Sequence, residues 1–299
     1  MLDKKSLTWF LVIAFAISWI LFAAPLAFKD DPALYATMIT SLFALAMWGP
    51  GIAAIIVTLF IARQPFSTLR LNTLGPKRYY FWAWFLAPLM AALTLAATVL
   101  LGTGTFDSSF PMMREALAQS PQAQGIPSVE ILVAIQLAFA ATLAPFINIL
   151  FALGEELGWR GFLLPKLLPL GEWKALLLSG TIWGLWHAPA IALHGHNFPA
   201  HPYLGVLVMT VGCMLLGVIL GWLYLKTKSP WAPALAHGAF NAIGPAALFF
   251  LNPEGLDMAL AGNPLGVAGW IPMALIILVL VALKQLPAHQ QTVNAAKNS

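Results

Sequence analysis

From Ala175 to Leu225 the chain contains no Asp, Glu, Lys or Arg. A soluble surface is built largely from charged and polar side chains, so such a stretch has no place on one. The same absence recurs over Ser6–Phe28, Pro32–Ala62, Tyr79–Phe106, Ile131–Gly154, Ser229–Pro253 and Met258–Leu283. A helix needs about 20 apolar residues to cross a bilayer. The stretch Ala175–Leu225 holds two spans, broken at the turn-rich segment His194-Gly-His-Asn-Phe-Pro-Ala-His-Pro202. The expected fold is an all-α polytopic membrane protein, with about eight transmembrane helices enclosing an intramembrane polar cavity. Composition agrees: 60% of the 299 residues are hydrophobic and 9% charged, against roughly a quarter charged in soluble proteins. A soluble domain is excluded, and so is disorder away from the ends.

The opening residues Met1–Lys5, followed by apolar sequence to Phe28, read as an uncleaved first span, too long for a signal-peptide core. With the N-terminus assigned to the cytoplasm, thirteen cations fall on that side: Lys4, Lys5, Arg63, Arg70, Lys77, Arg78, Arg160, Lys166, Lys174, Lys226, Lys228, Lys284 and Lys297. Only Lys29 and Arg114 fall opposite. This asymmetry places both termini in the cytoplasm and suits a cytoplasmic (inner) membrane protein. It also accounts for the net charge of +4 without nucleic acid, whose binding needs clustered cations on one solvent face. The single cysteine, Cys213, permits neither an intrachain disulfide nor a cysteine-based zinc site.

One transmembrane domain is expected over residues 1–286, with a polar, disordered tail over 287–299. The longest connection is Gly102–Pro127, in which Met112–Ala118 is expected to form a short interfacial helix. Gly212, Gly217 and Gly221 allow close helix packing. No internal repeat is evident.

Polar groups inside apolar sequence are costly and mark function by default. In Gly154-Glu-Glu-Leu-Gly-Trp-Arg160, a helix puts Glu156 and Arg160 on one face as an ion pair. Glu155 points about 100° away, without that partner. A carboxyl in an apolar site holds a proton more tightly than in water, which suits a general base working near neutral pH. The plainer alternative sets all three residues in the headgroup zone. In Trp183-Gly-Leu-Trp-His187, Trp183 and His187 share a face, and Pro189 can free a backbone carbonyl nearby. His187 is either functional or a satisfied packing residue. In His237-Gly-Ala-Phe-Asn241, two donors project together and can hold an oxyanion, or simply glue helices. His194, His196 and His201 lie in a hydrated outer turn with no carboxylate nearby, where adventitious or no metal binding is expected.

Together, base, imidazole, imidazole and amide make a hydrolytic set. Glu155-Glu156-x-x-x-Arg160, Trp183-x-x-x-His187 and His237-x-x-x-Asn241, in that order within 145–245, resemble the three motifs of the CPBP family. That family comprises CAAX prenyl endopeptidases and bacteriocin-processing or immunity (Abi) proteins. Trp183 stands where the family often has Phe. The resemblance implies an intramembrane endopeptidase of the glutamate type. Glu155 matches the base, His187 helps to hold and activate water, and His237 with Asn241 matches the oxyanion pair. Glu156, Arg160 and Trp183 are supporting residues. No cofactor is expected; the alternative is a metalloprotease with zinc on Glu155, His187 and His237. Partners are a peptide or lipidated protein substrate and the lipid bilayer. The rivals are a non-catalytic immunity protein of the same fold and a proton-coupled secondary transporter.

Straight spans pose a difficulty. They put Glu155 near the cytoplasmic end of its span, His187 roughly 20 Å deep and His237 about 9 Å deep at 1.5 Å per residue. The expected remedy is a deeper helix over about 146–168, with Pro145 breaking the chain before it and 131–142 as a tilted lead-in. A cavity open to the cytoplasm would accommodate the remaining irregularity in depth.

Overall fold

A computed structural model describes residues 2–119 and 128–288. Residues 120–127 of the long connection and 289–299 of the tail lie outside the described residues. The helices are α1 (Lys4–Ala23), α2 (Pro32–Ala46), α3 (Gly49–Ile56), α4 (Arg78–Leu100), α5 (Pro111–Ala118), α6 (Val129–Thr142), α7 (Ala144–Glu156), α8 (Leu164–Leu167), α9 (Glu172–Trp186), α10 (Ala188–His194), α11 (Pro202–Thr227), α12 (Trp231–Ile243) and α13 (Val267–Ala282). Among the described residues no strand forms; Phe106 and Leu251 make an isolated bridge. The helices begin where the sequence supplies caps. Asp31 accepts from Ala33 N and Leu34 N, both at 3.1 Å, and Ser128 accepts from Ile131 N at 3.1 Å.

Five helical stretches are long and apolar enough to cross a membrane: Lys4–Phe28, Pro32–Ile61, Arg78–Leu100, Glu172–His194 and Pro202–Thr227. A sixth is the pair Val129–Thr142 and Ala144–Leu170, bent by 50°. The chain is a multi-pass integral membrane protein. Each of the eight expected spans contains helix, but the last two are short. α12 has 13 residues before a 3₁₀ turn at Gly244–Phe250, and α13 has 16. Pro245 falls in the first turn of that 3₁₀ segment and has no N–H to continue the α-helical ladder.

The break before Pro145 is where the depth argument needed it. Ala144–Leu170 runs as one helical stretch, so Glu155 sits near its middle rather than at its end. Within this stretch, Leu157–Leu163 is a π-helical segment, a local widening found often at functional sites. Glycines let neighbouring helices reach it. A Cβ on Gly158 would lie 2.4 Å from Pro50 Cβ, and one on Gly238 would lie 2.9 Å from Pro145 O. α3 therefore packs directly against the Glu motif, and α12 crosses α7 at backbone contact. Gly212, Gly217 and Gly221 also serve packing, against Leu265, Gly180 and Leu176.

The bundle has two distinct ends. At one, Lys166 Nζ meets Asp3 at 2.8 Å and Trp231 Nε1 donates to Leu71 O at 2.8 Å. Eleven of the fifteen Lys and Arg lie towards this end. At the other, His194 Nε2 lies 2.7 Å from Phe22 O, and Asp107 N donates to Phe250 O at 2.9 Å. Lys29 and Arg114 belong there. Arg160, grouped above with the loops, is instead 1% exposed inside the bundle. The expected short helix over Met112–Ala118 is α5.

Candidate active site

Glu155 and Glu156 occupy the last turn of α7, both buried, and diverge to different partners. Glu156 Oε1 bonds Arg160 Nη1 at 2.7 Å and His237 Nδ1 at 2.9 Å. The expected ion pair is therefore present, and it extends to α12. Glu155 lacks a charged partner, but it is not free of donors. Its Oε2 accepts from Trp183 Nε1 at 2.5 Å and from Trp159 Nε1 at 3.3 Å. Trp159 lies four residues after Glu155, the same spacing that joins Glu156 to Arg160. That spacing was the available signal for a role the sequence reading did not assign to Trp159.

Trp183 ties the cluster together. Its ring lies 4.3 Å from the Arg160 guanidinium carbon and 5.2 Å from the His237 ring. A phenylalanine would keep both ring contacts but lose the hydrogen bond to Glu155. The departure from Phe therefore has a structural consequence. Trp183→Phe is expected to lower kcat by about tenfold to hundredfold with little change in KM, the loss of one hydrogen bond to a charged group. Steady-state kinetics on a cleavable peptide check this. An unchanged kcat would show that the indole N–H does not position Glu155.

α9 ends at Trp186, and α10 starts after His187, with Pro189 in its first turn. At this junction His187 N turns to Gly184 O at 3.1 Å. Trp183 O is left to take His187 Nδ1 at 3.0 Å. A carbonyl only accepts, so Nδ1 carries the proton and Nε2 of the neutral ring presents a lone pair. Cys213 Sγ lies 3.9 Å from the same Nδ1. A protonated Nδ1 has no lone pair to take a thiol proton, so the two do not form a Cys–His nucleophile pair.

Glu155, Trp183, His187, His237 and Asn241 line one cavity of about 370 Å³. Glu156 and Arg160 stand behind it. His196, assigned from sequence to a hydrated outer turn, lines it too, together with Asn197 and Asn263, which the sequence did not single out. Asn263 Nδ2 donates to Asn197 O at 3.2 Å, joining two connections that fold over the helix ends. The Asn263-Pro264 pair, a turn signal inside an apolar stretch, was the trace available in sequence.

The outer histidines separate. His194 bonds Tyr35 and Phe22 O, each at 2.7 Å, and His196 faces the cavity. His201 meets Asp257 at 3.2 Å, so a carboxylate is nearby after all, brought by the segment before α13. Among the described residues, no three His, Cys, Asp or Glu side chains converge to hold a metal ion. For the set Glu155, His187 and His237, the ring nitrogens that make bonds face Trp183 O and Glu156 rather than a common centre.

The fold and this cavity define a multi-pass membrane protein with Glu155, His187, His237 and Asn241 lining one cavity in the helix bundle. Residues 133–243 match the sequence model of a family described as type II CAAX prenyl endopeptidase Rce1-like. A relative named CAAX prenyl protease 2, from Methanococcus maripaludis, is 33% identical over 98 residues, covering 28% of this chain. The match spans about a third, 32%, of that relative's length. Both findings support the family read from the three motifs, and the family model's match covers the residues that carry them.

Proposed function

We propose that the chain is an intramembrane endopeptidase of the glutamate type that hydrolyses lipidated, CAAX-type or other membrane-associated peptides. The observation that carries the reading is the convergence of Glu155, His187, His237 and Asn241 on one cavity. The comparisons support a protease.

In the proposed reaction, Glu155 takes a proton from water while His187 Nε2 accepts the water's other hydrogen as a hydrogen bond. The oxygen attacks the scissile carbonyl carbon, and the carbonyl π pair moves to oxygen. Asn241 Nδ2 and His237 donate to that oxyanion. With both ring nitrogens protonated, His237 bonds Glu156 from Nδ1 and the oxyanion from Nε2. Collapse breaks the C–N bond, and the proton held by Glu155 passes to the leaving amine. The scheme needs no metal.

The test is cleavage of lipidated and unlipidated peptides by purified protein in detergent, with and without chelator. Wild type is expected to cleave after removal of divalent metals, and His187→Ala is expected to lose about tenfold to hundredfold, the loss of one hydrogen bond that places the attacking water. Loss on chelation restored by zinc would favour the metalloprotease. Folded protein that cleaves no peptide would favour an immunity role, and proton-driven uptake into liposomes a transporter.

A further inference from the structure

A second cavity, of about 540 Å³, runs between α4 and α13 and shares no lining residue with the one that holds Glu155. Its walls are Leu86, Leu89 and Leu93 of α4 and Leu275, Ile276 and Val279 of α13, and the buried ring of Trp222 lines it from α11. Val279 and Leu283 are 54% and 64% exposed, so this groove faces the bilayer rather than the interior of the bundle. From Arg78 to Leu93 it follows α4 for about 22 Å, and from Leu275 to Leu283 it follows α13 for about 12 Å, at 1.5 Å per residue. The hydrocarbon of one leaflet is about 15 Å deep, half of a 30 Å core. The groove therefore has about the depth of one leaflet.

Its two ends differ. Towards the cation-rich end of the bundle the lining changes from aliphatic to Arg78, Tyr79, Trp82 and Gln285. Lys77 precedes Arg78, Lys284 precedes Gln285, and Lys226 stands one helical turn beyond Trp222 on the same face of α11. Tyr79 and Trp82 are the aromatic types that sit at headgroup level, which sets the depth of this mouth. Arg78 is exposed and rests on a neutral partner: its Nη2 donates to Tyr79 Oη at 3.4 Å, and its guanidinium carbon lies 5.1 Å from the Tyr79 ring. Among the described residues no carboxylate forms an ion pair with it. Of the acids at this end, Asp3 pairs with Lys166 and Glu172 accepts from Ala288 N. A planar guanidinium with free donors matches a phosphate, and basic pockets between membrane helices hold anionic headgroups.

From this pairing of an apolar groove with a cationic mouth, we propose that α4 and α13 form a binding site for an anionic phospholipid of the cation-rich leaflet. One acyl chain lies along Leu86, Leu89 and Val279, and the phosphate meets Arg78. The site is separate from the proposed chemistry and stands whether or not the chain is a peptidase.

The test titrates the full chain, delipidated in detergent, with dioleoyl phosphatidylglycerol or dioleoyl phosphatidylcholine and counts bound lipid by native mass spectrometry. Wild type is expected to hold one phosphatidylglycerol at least fivefold more tightly than phosphatidylcholine. Arg78→Gln is expected to weaken phosphatidylglycerol by about fivefold, the effect of one basic residue beside an anionic headgroup, and to leave phosphatidylcholine unchanged. Lys5→Gln, at the same end but outside the groove, is expected to change neither. Val279→Trp, on the exposed wall of the groove, fills the chain's path and is expected to weaken both lipids. Equal binding of the two lipids by wild type would overturn the proposal. So would equal losses in Lys5→Gln and Arg78→Gln, which mean diffuse attraction, or unchanged binding in Val279→Trp. A neutral farnesylated peptide that displaces the bound phosphatidylglycerol at lower concentration than phosphatidylglycerol itself would give the groove to a lipidated substrate instead, and overturns the proposal too.

Discussion

Glu155→Gln is expected to reduce peptide cleavage by about 10²–10⁴-fold, the contribution of a placed general base, while the protein stays folded. The amide has nearly the volume of the carboxylate. Its oxygen can still accept from Trp183 and Trp159, so the packing around α7 and α9 survives. It cannot take a proton from water. Single-turnover cleavage in detergent measures the loss, and an unchanged unfolding transition shows that structure is retained. Full activity would remove Glu155 from the chemistry. The neighbouring Glu156 offers a sharp contrast. Its Oε1 is shared by Arg160 and His237, and it does not line the cavity. The two adjacent carboxylates thus divide, one facing the cavity and one holding its wall.

That division was partly legible in sequence. The spacing from Glu156 to Arg160 announced an ion pair, because neighbours on one helix turn depend only on local geometry. The link from Glu156 to His237 was not legible. It spans 81 residues and depends on Gly238 letting α12 touch α7. The indole donors to Glu155 divide likewise: Trp159 was within reach of a spacing argument, and Trp183 was not. The runs without charge located the helical stretches long and apolar enough to span, and Pro145 located the break that lowers Glu155 into the bundle. Run length overstated α12 and α13, since an apolar run continues through Pro245 where a helix does not. The place of His196 and Asn263 at the cavity was hidden because connections that fold back over a cavity leave no periodicity to read.

The largest expected effect on stability comes from Arg160→Met. Arg160 is 1% exposed and Glu156 0%. Removing the guanidinium strands a carboxylate in the bundle with His237 as its remaining bonded partner. Breaking a buried pair from one side costs about 3–5 kcal/mol, because the orphaned charge stays desolvated. The pair is also incompletely satisfied: Glu156 Oε2 and Arg160 Nη2 have no hydrogen-bond partner. Buried pairs of that kind contribute little net stability over apolar or neutral replacements. Adding Glu156→Gln to Arg160→Met should therefore recover most of the loss, a coupling that a double-mutant cycle measures directly. Reversible unfolding in mixed micelles supplies the four free energies. A cost below about 1 kcal/mol for Arg160→Met, the scale of an exposed pair, would mean that water reaches the site. Activity separates the two roles. The double variant should be folded yet slow, because His237 has lost the carboxylate that fixes its ring. A folded double variant with wild-type kcat would show that Glu156 does not orient His237.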